Sequence, residues 1–281
     1  MTGPPAGAHA AAINASAATG SSQRHARKED FAWGMQEAYA RTMREMQKIS
    51  LVDHTKKYRP PAGVLEAIAE ALTIQVQRDF APAWGVEGAK FTVGGRGDKI
   101  HFFDSAREAE EFGWHVTDDR GLPYAHVFAA ASITHGNGWT DGAEAVSVTA
   151  SHEALEMLAD PRANEFCFDG ERRLWAREVC DPVQSRAYKI RTDKRLVPVS
   201  DFVRPAYFNP WATGPFDHLR VLDEPFSIDR GGYAVCQRTS TEREQFGRGF
   251  GVTFDDAMPE WQRASKLRGW GRTYWRLALN P

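Results

Sequence analysis

The segment Val146–Ala159 constrains the fold most, because it combines helical spacing with charged groups that a buried helix rarely carries. Its small and apolar residues predict a central helix. Asp160-Pro161 predicts the end of this helix, since the residue before a proline disfavours the α conformation. A strand-like run at 124–133 and a glycine-rich loop come before it. The order strand, loop, helix therefore predicts a sheet packed on this helix.

Within this helix, His152 and Glu156 are four residues apart and share one face. They can direct an imidazole nitrogen and a carboxylate oxygen at one metal ion, and Asp160 can extend the same stripe. Glu153 lies about 100° around the helix, where the related His-Glu-x-x-His arrangement of zinc hydrolases places its general base. Glu156 replaces the second histidine of that arrangement and remains a suitable oxygen ligand for zinc.

A catalytic zinc site normally needs a third protein ligand, which is often supplied by a later segment. Glu178 is the first choice, because the 22 residues after Glu156 allow a returning strand to bring it back. Asp181 is an alternative, either as a ligand or as the carboxylate that orients His152 through its other ring nitrogen. Asp160 would have to reach back along the helix axis. A competing interpretation makes these acids surface carboxylates with contacts along the helix.

The string Ser151-His152-Glu153-x-x-Glu156-x-x-x-Asp160-Pro161, followed by Glu178-Val179-x-Asp181, resembles a loose group of phage and bacterial proteins regarded as HExxE-type metallopeptidases. The stretches 75–84 and 199–208 resemble the phage-type proteins too, so the likeness covers residues 60–235. The resemblance implies a zincin-like fold with His152 and Glu156 as zinc ligands and Glu153 as the base. A ligand set completed by carboxylates is also compatible with Ca²⁺ or Mn²⁺.

The remaining elements predict an α+β fold, in which a small mixed sheet packs on the motif-bearing helix and extra helices precede it. Helical composition and spacing predict helices at 30–48 and 63–79, the second ending near Pro82. Glycine-rich residues between the runs 91–93 and 100–103 predict a hairpin, and a capping box predicts a short helix from 105 to 113. Further strands are expected downstream, at 174–179, 188–190 and 197–203.

Composition indicates one principal domain with extended ends. Residues 1–28 are rich in Ala, Gly and Ser and predict a disordered tail, 29–255 a metallohydrolase domain, and 256–281 a basic and aromatic C-terminal segment. Three cysteines without a CxxC pair favour reduced thiols. With no signal-like or membrane-spanning run, a cytoplasmic protein is expected.

These patterns lead to a zinc-dependent peptidase that acts on a peptide or protein substrate, with the 124–133 strand expected at the substrate. The rival hypothesis is a non-catalytic, phage-associated interaction or structural protein on the same scaffold. Nucleic acid is not the expected partner, because the net charge of −2 provides no general attraction. The basic residues among aromatic rings at the C-terminus could contact single-stranded nucleic acid or a protein partner. A docked terminal segment explains them equally well. No pattern indicates an oligomeric state.

Overall fold

The helices and strands of the computed structural model lie in residues 46–106, 112–171, 173–238 and 243–247, which are the residues it describes. The helices are α1 (Val64–Gln75), α2 (Ala81–Trp84), α3 (Ala129–Thr134) and α4 (Val146–Ala159). The strands are β1 (Gln47–Asp53), β2 (Ala89–Val93), β3 (Asp98–Phe103), β4 (Gly113–Thr117), β5 (Pro123–Phe128), β6 (Phe166–Phe168), β7 (Arg173–Ala176), β8 (Ala187–Arg191), β9 (Leu196–Ser200), β10 (Tyr233–Arg238) and β11 (Arg243–Gly247). A π-helical turn, Val76–Phe80, joins α1 to α2, and short 3₁₀ helices occupy Asp181–Val183 and Pro205–Phe208.

The main sheet has five strands in the order β2-β1-β3-β5-β4. The first four of these run parallel, and β4 runs antiparallel to β5 at the edge of the sheet. Alternate residues of β1, β3 and β5 are buried on one face, because side chains alternate along a strand. These residues are Ile49, Leu51, Ile100, Phe102, Ala125 and Val127.

Helix α4 is buried on nearly every side, which explains why its sequence lacks a clear polar face. Of its residues only His152 is not fully buried. Its packing partners include β5, β4 and α1, and also β9 of the two-stranded sheet β8-β9. The four-stranded antiparallel sheet β11-β10-β7-β6 includes β6 and β7, the first two strands after α4 in the chain.

A serine anchors α4 in this position. Ser151 Oγ donates a hydrogen bond to Gln75 Oε1 at 2.7 Å and accepts one from the Ser200 amide at 3.0 Å. Gln75 in turn donates to the Ser200 carbonyl oxygen at 2.9 Å, and all three residues are fully buried. Ser151 is therefore a structural link between α1, α4 and β9.

The structure confirms the mixed α and β content and the extent of α4, and it changes several neighbouring predictions. The predicted hairpin is wrong, because β2 and β3 both pair parallel with β1, which lies between them. Their connection crosses β1 so closely that a Cβ on Gly97 would collide with the Lys48 carbonyl oxygen. Glycine at this position therefore makes the crossing possible.

Several element boundaries also differ from expectation. The strands predicted at 174–179 and 197–203 end at Ala176 and Ser200, so Glu178 follows β7 instead of lying on it. The helix predicted for 30–48 is wrong at its end, since β1 already begins at Gln47. The strand predicted at 124–133 stops at Phe128, where α3 begins, and β5 lies inside the sheet. The helix predicted to end near Pro82 continues to Trp84, because a proline in the first turn of α2 needs no amide donor there.

Some predictions lie outside the described residues. They are the tail at 1–28, most of the helix at 30–48, the segment at 256–281 and most of the capping-box helix at 105–113. Gly113 itself begins a strand. Among the described helices, none has the length and apolar character that crossing a membrane requires.

Stability at alkaline pH is expected to depend on Asp201, which follows β9. Burial and the charge of Asp217 raise the pKa of Asp201 to about 8, so the folded protein keeps a proton that the unfolded chain releases near pH 4. Stability should therefore fall as the pH rises from about 4 to 8, because the folded state binds more protons. Asp201→Asn keeps an acceptor for the Phe202 and Leu219 amides and cannot ionise.

This substitution should raise the free energy of unfolding at pH 8 by about 2–4 kcal/mol and change it little at pH 4. Urea denaturation of wild type and variant at both pH values measures the difference. An effect of equal size at both pH values would contradict the assignment of a proton to Asp201.

Candidate functional site

Seven titratable side chains gather where α4 faces β4 and the chain that follows β7. Two are histidines and five are acids, so the cluster carries more potential negative than positive charge. All except His152 are buried. The members are His115, His152, Glu153, Glu156, Asp160, Glu178 and Asp181.

The first group in this cluster consists of His152, Glu156 and Asp181. His152 Nε2 lies 3.2 Å from Glu156 Oε1 and 3.0 Å from Asp181 Oδ1. The Cys180 amide donates to Glu156 Oε1 at 3.2 Å, so the backbone just before Asp181 is tied to the motif helix. One donor atom from each residue lies within 4.8 Å of the other two.

His115, on the edge strand β4, completes a second group that the sequence predictions did not include. Its Nδ1 lies 3.4 Å from Glu153 Oε2 and 3.4 Å from Glu156 Oε2. Gly113 lets β4 approach the helix this closely, because a Cβ there would stand 2.9 Å from Glu153 Oε1. The signal available was the short strand-like run 114–117, which carries His115 and Val116 on opposite faces.

Two of the candidate third ligands occupy other places in the cluster. The Glu178 carboxylate faces His115, with Oε2 at 3.7 Å from Nε2. The Asp160 carboxylate accepts hydrogen bonds from the amides of Arg162 and Glu165, at 3.3 and 2.6 Å. Asp160 thus closes the turn after α4. Of the three candidates, Asp181 is the one that contacts the motif histidine.

The carboxylates control the charge of both histidines. Burial by itself lowers the pKa of His115 and of His152. Nearby negative charge outweighs this effect and raises both pKa values well above the ordinary value for histidine. Glu178 contributes the largest upward effect on His115, and Glu156 does so for His152. In the protein without a metal ion, the two imidazolium groups therefore compensate part of the acidic charge.

The acids respond in two ways to the same environment. Burial raises the pKa of Glu153, brings that of Asp160 to about 6, and together with the charge of Glu156 brings that of Asp181 to about 7. Glu156 is different: burial acts in the same direction, but the two histidines hold its pKa well below the usual range. A cation bound here would therefore displace protons from several groups.

The donor spacing of the first group fits a tetrahedral zinc ion. Bonds of about 2.0–2.1 Å place neighbouring donors about 3.3–3.4 Å apart. The separations of 3.2 and 3.0 Å at His152 Nε2 are close to this value. In addition, Asp181 Oδ2 is buried and makes no hydrogen bond, which is costly for a carboxylate oxygen without a cation. The residues present therefore fit a zinc ion.

Tyr233, the first residue of β10, is another neighbour that the sequence predictions missed. Gly232 brings β10 against the 3₁₀ helix, since a Cβ there would collide with the Pro182 carbonyl oxygen. The Asp229 amide donates to that same oxygen at 2.9 Å. Burial and the charge of Asp181 raise the pKa of Tyr233 well above its ordinary value. The Tyr233 hydroxyl therefore stays protonated beside the site.

Comparison with known proteins identifies no relative of this chain. No family model matches it, and no curated protein or solved structure shows a significant match. The resemblance to HExxE-type metallopeptidases stays a prediction, and so do the zincin-like fold and the relation to phage proteins. The function of the site has to follow from its own residues.

Proposed function

We propose that this protein is a zinc-dependent peptidase with His152, Glu156 and Asp181 as metal ligands and Glu153 as general base. One observation carries the proposal: donor atoms from α4 and from the 3₁₀ helix meet at tetrahedral spacing in a buried, acidic site. Asp181 takes the place for which Glu178 was the first choice. Zinc suits this set better than calcium, because an imidazole nitrogen is among the donors.

A bound zinc ion would supply a Lewis acid that polarises a peptide carbonyl and lowers the pKa of water. The protein provides the rest of the chemistry. Burial of the cluster excludes bulk water and strengthens each electrostatic interaction. The low pKa of Glu156 keeps this ligand ionised, as metal binding requires.

Glu153 is the residue placed to accept a proton from the attacking water. It lies one residue after a metal ligand, and its Oε1 faces the backbone of the edge strand at Gly113. Burial raises its pKa, which makes the carboxylate a stronger base. The same carboxyl can then pass the proton to the leaving amine.

The strand that can bind an extended substrate is β4, and this replaces the 124–133 strand proposed from sequence. In the residues described, β4 pairs with β5 alone, so its other edge offers backbone amides and carbonyl oxygens. A peptide added along this edge would lie beside His115, which β4 carries, and beside Glu153, which contacts β4 at Gly113 and His115 from the motif helix.

The direct test is hydrolysis of a diverse peptide mixture by zinc-loaded protein purified without a polyhistidine tag. Mass spectrometry should detect new peptide termini that are lost after zinc is removed with a chelator and return when zinc is restored. Stoichiometric zinc without any cleavage would favour the rival, a non-catalytic interaction or structural protein with a bound ion.

A further inference from the structure

Glu156 presents its two carboxylate oxygens to two different histidines. Oε1 faces His152 in the first group, while Oε2 faces His115 on β4. A carboxylate in this arrangement can bridge two ions. We propose that His115, Glu153 and Glu156 form a second divalent cation site, which shares Glu156 with the first and regulates it.

The spacing of the second group supports an ion in its own right. The two separations at His115 Nδ1, to Glu153 Oε2 and to Glu156 Oε2, are both 3.4 Å. This is the donor separation expected around zinc with bonds of about 2.1 Å. The three donor atoms also lie within 4.8 Å of one another, as in the first group. In two-metal sites the ions usually stand about 3.5–4 Å apart.

The surroundings of the His115 ring match those of a metal-binding histidine. Its side chain is 4% exposed, and Nε2 is buried without a hydrogen bond. This nitrogen points toward the Glu178 carboxylate at 3.7 Å, so a small shift would bring the two into hydrogen-bond range. A carboxylate behind the ring fixes the neutral tautomer and leaves Nδ1 available for an ion. Glu178, which was expected to be a metal ligand, would then position the ligand His115.

The charges of the second group call for a cation. Glu153 and Glu156 are buried acids, and no lysine or arginine among the described residues forms an ion pair with either of them. His115 and His152 compensate only part of the charge of the five acids, and buried carboxylates that are not fully compensated are costly. A divalent ion would neutralise both carboxylates.

Occupation of the second site has a consequence for the proposed reaction, and this part rests on the proposed function. Glu153 Oε2 would bind the second ion, so the general base would no longer be available to accept a proton. Zinc beyond the first equivalent should therefore inhibit hydrolysis. Removal of a general base typically costs two to four orders of magnitude, so an inhibition of at least about tenfold is expected.

Equilibrium dialysis of the full chain against rising zinc concentrations tests the site without any substrate. We expect two zinc equivalents in wild type, one in His115→Gln and one in Glu153→Gln. His126→Gln is the matched control, since His126 pairs with Trp114 across β4 and β5 and packs among aromatic rings outside the cluster. It should bind two equivalents. Circular dichroism shows whether each variant is folded, and the Glu153 variant decides the question if His115→Gln is not.

One equivalent in wild type, or two equivalents in both His115→Gln and Glu153→Gln, would overturn the proposal. Hydrolysis measured on the same samples separates this result from the fate of the peptidase proposal. Two equivalents without cleavage keep the second site and reject the peptidase. Cleavage with one equivalent, unaffected by further zinc, keeps the peptidase and rejects the second site.

Discussion

Zinc affinity is expected to fall by at least about 100-fold in Asp181→Asn, because the first site then retains only two charged or imidazole donors. Asparagine has nearly the same shape, so the 3₁₀ helix and the contact of the Cys180 amide with Glu156 should persist. Loss of affinity would therefore report a lost ligand charge and not a change of fold. A competition titration against a chelator of known affinity measures the effect.

The matched control is Asp160→Asn, which changes another buried acid of the same cluster. Asp160 accepts the amides of Arg162 and Glu165, and the asparagine oxygen can accept one of them. Its zinc affinity should stay close to that of wild type. If Glu178→Gln loses zinc while Asp181→Asn retains it, the third ligand is Glu178, as the sequence spacing suggested.

Hydrolysis should fall by about two to four orders of magnitude in Glu153→Gln, with the first zinc equivalent retained. The amide keeps the shape of the side chain but cannot accept the proton of the attacking water. The carboxylate is not among the three donors around His152, so occupancy of the first site should not depend on it.

Zinc content and cleavage rate have to be measured on the same preparation. A slow variant that has also lost the first zinc would say nothing about the base. Unchanged turnover at full zinc occupancy would show that another group accepts the proton, and the neighbouring His115 would be the first to consider.

Local signals in the sequence were enough to predict the motif helix. Its apolar and small residues extend from Val146 to Ala159, and Asp160-Pro161 stops it at the predicted residue. The positions of the strands β7, β8 and β9 were also predictable, since each has a short β-type run between turn residues, although β7 and β9 end three residues before their predicted ends. In these elements the local preference and the tertiary environment favour the same conformation.

The pairing of the first strands could not be predicted in the same way. Residues 91–103 contain two strands separated by a glycine-rich turn, which is locally identical to a hairpin. What separates them is β1, whose first residues fall within the helix predicted at 30–48. A strand from a distant part of the chain, such as β1, can insert between two consecutive strands without any signal in the sequence of those two strands.

In the candidate site, too, some residues could be predicted from the sequence and others could not. His152, Glu153 and Glu156 lie on one helix, so their spacing alone predicted that they would act together. His115 enters only because β4 occupies the sheet edge beside α4, which depends on strand order. Asp181 meets His152 because a backbone contact at Cys180 holds its segment against the helix, and sequence distance does not encode such a contact.

The hydrogen bonds that Ser151 makes to Gln75 and Ser200 orient the site residues of α4 before any ion binds. The rotation of α4 about its axis is set by the hydrogen bonds of Ser151, about 100° around the helix from His152, to two segments far apart in the chain. The orientation of the proposed ligands His152 and Glu156 on α4 is therefore determined by the fold. Little of the metal's binding energy is then consumed in organising the chain, and more of it remains as affinity. In this protein a zinc ion would bind a site that is already organised before the ion is present.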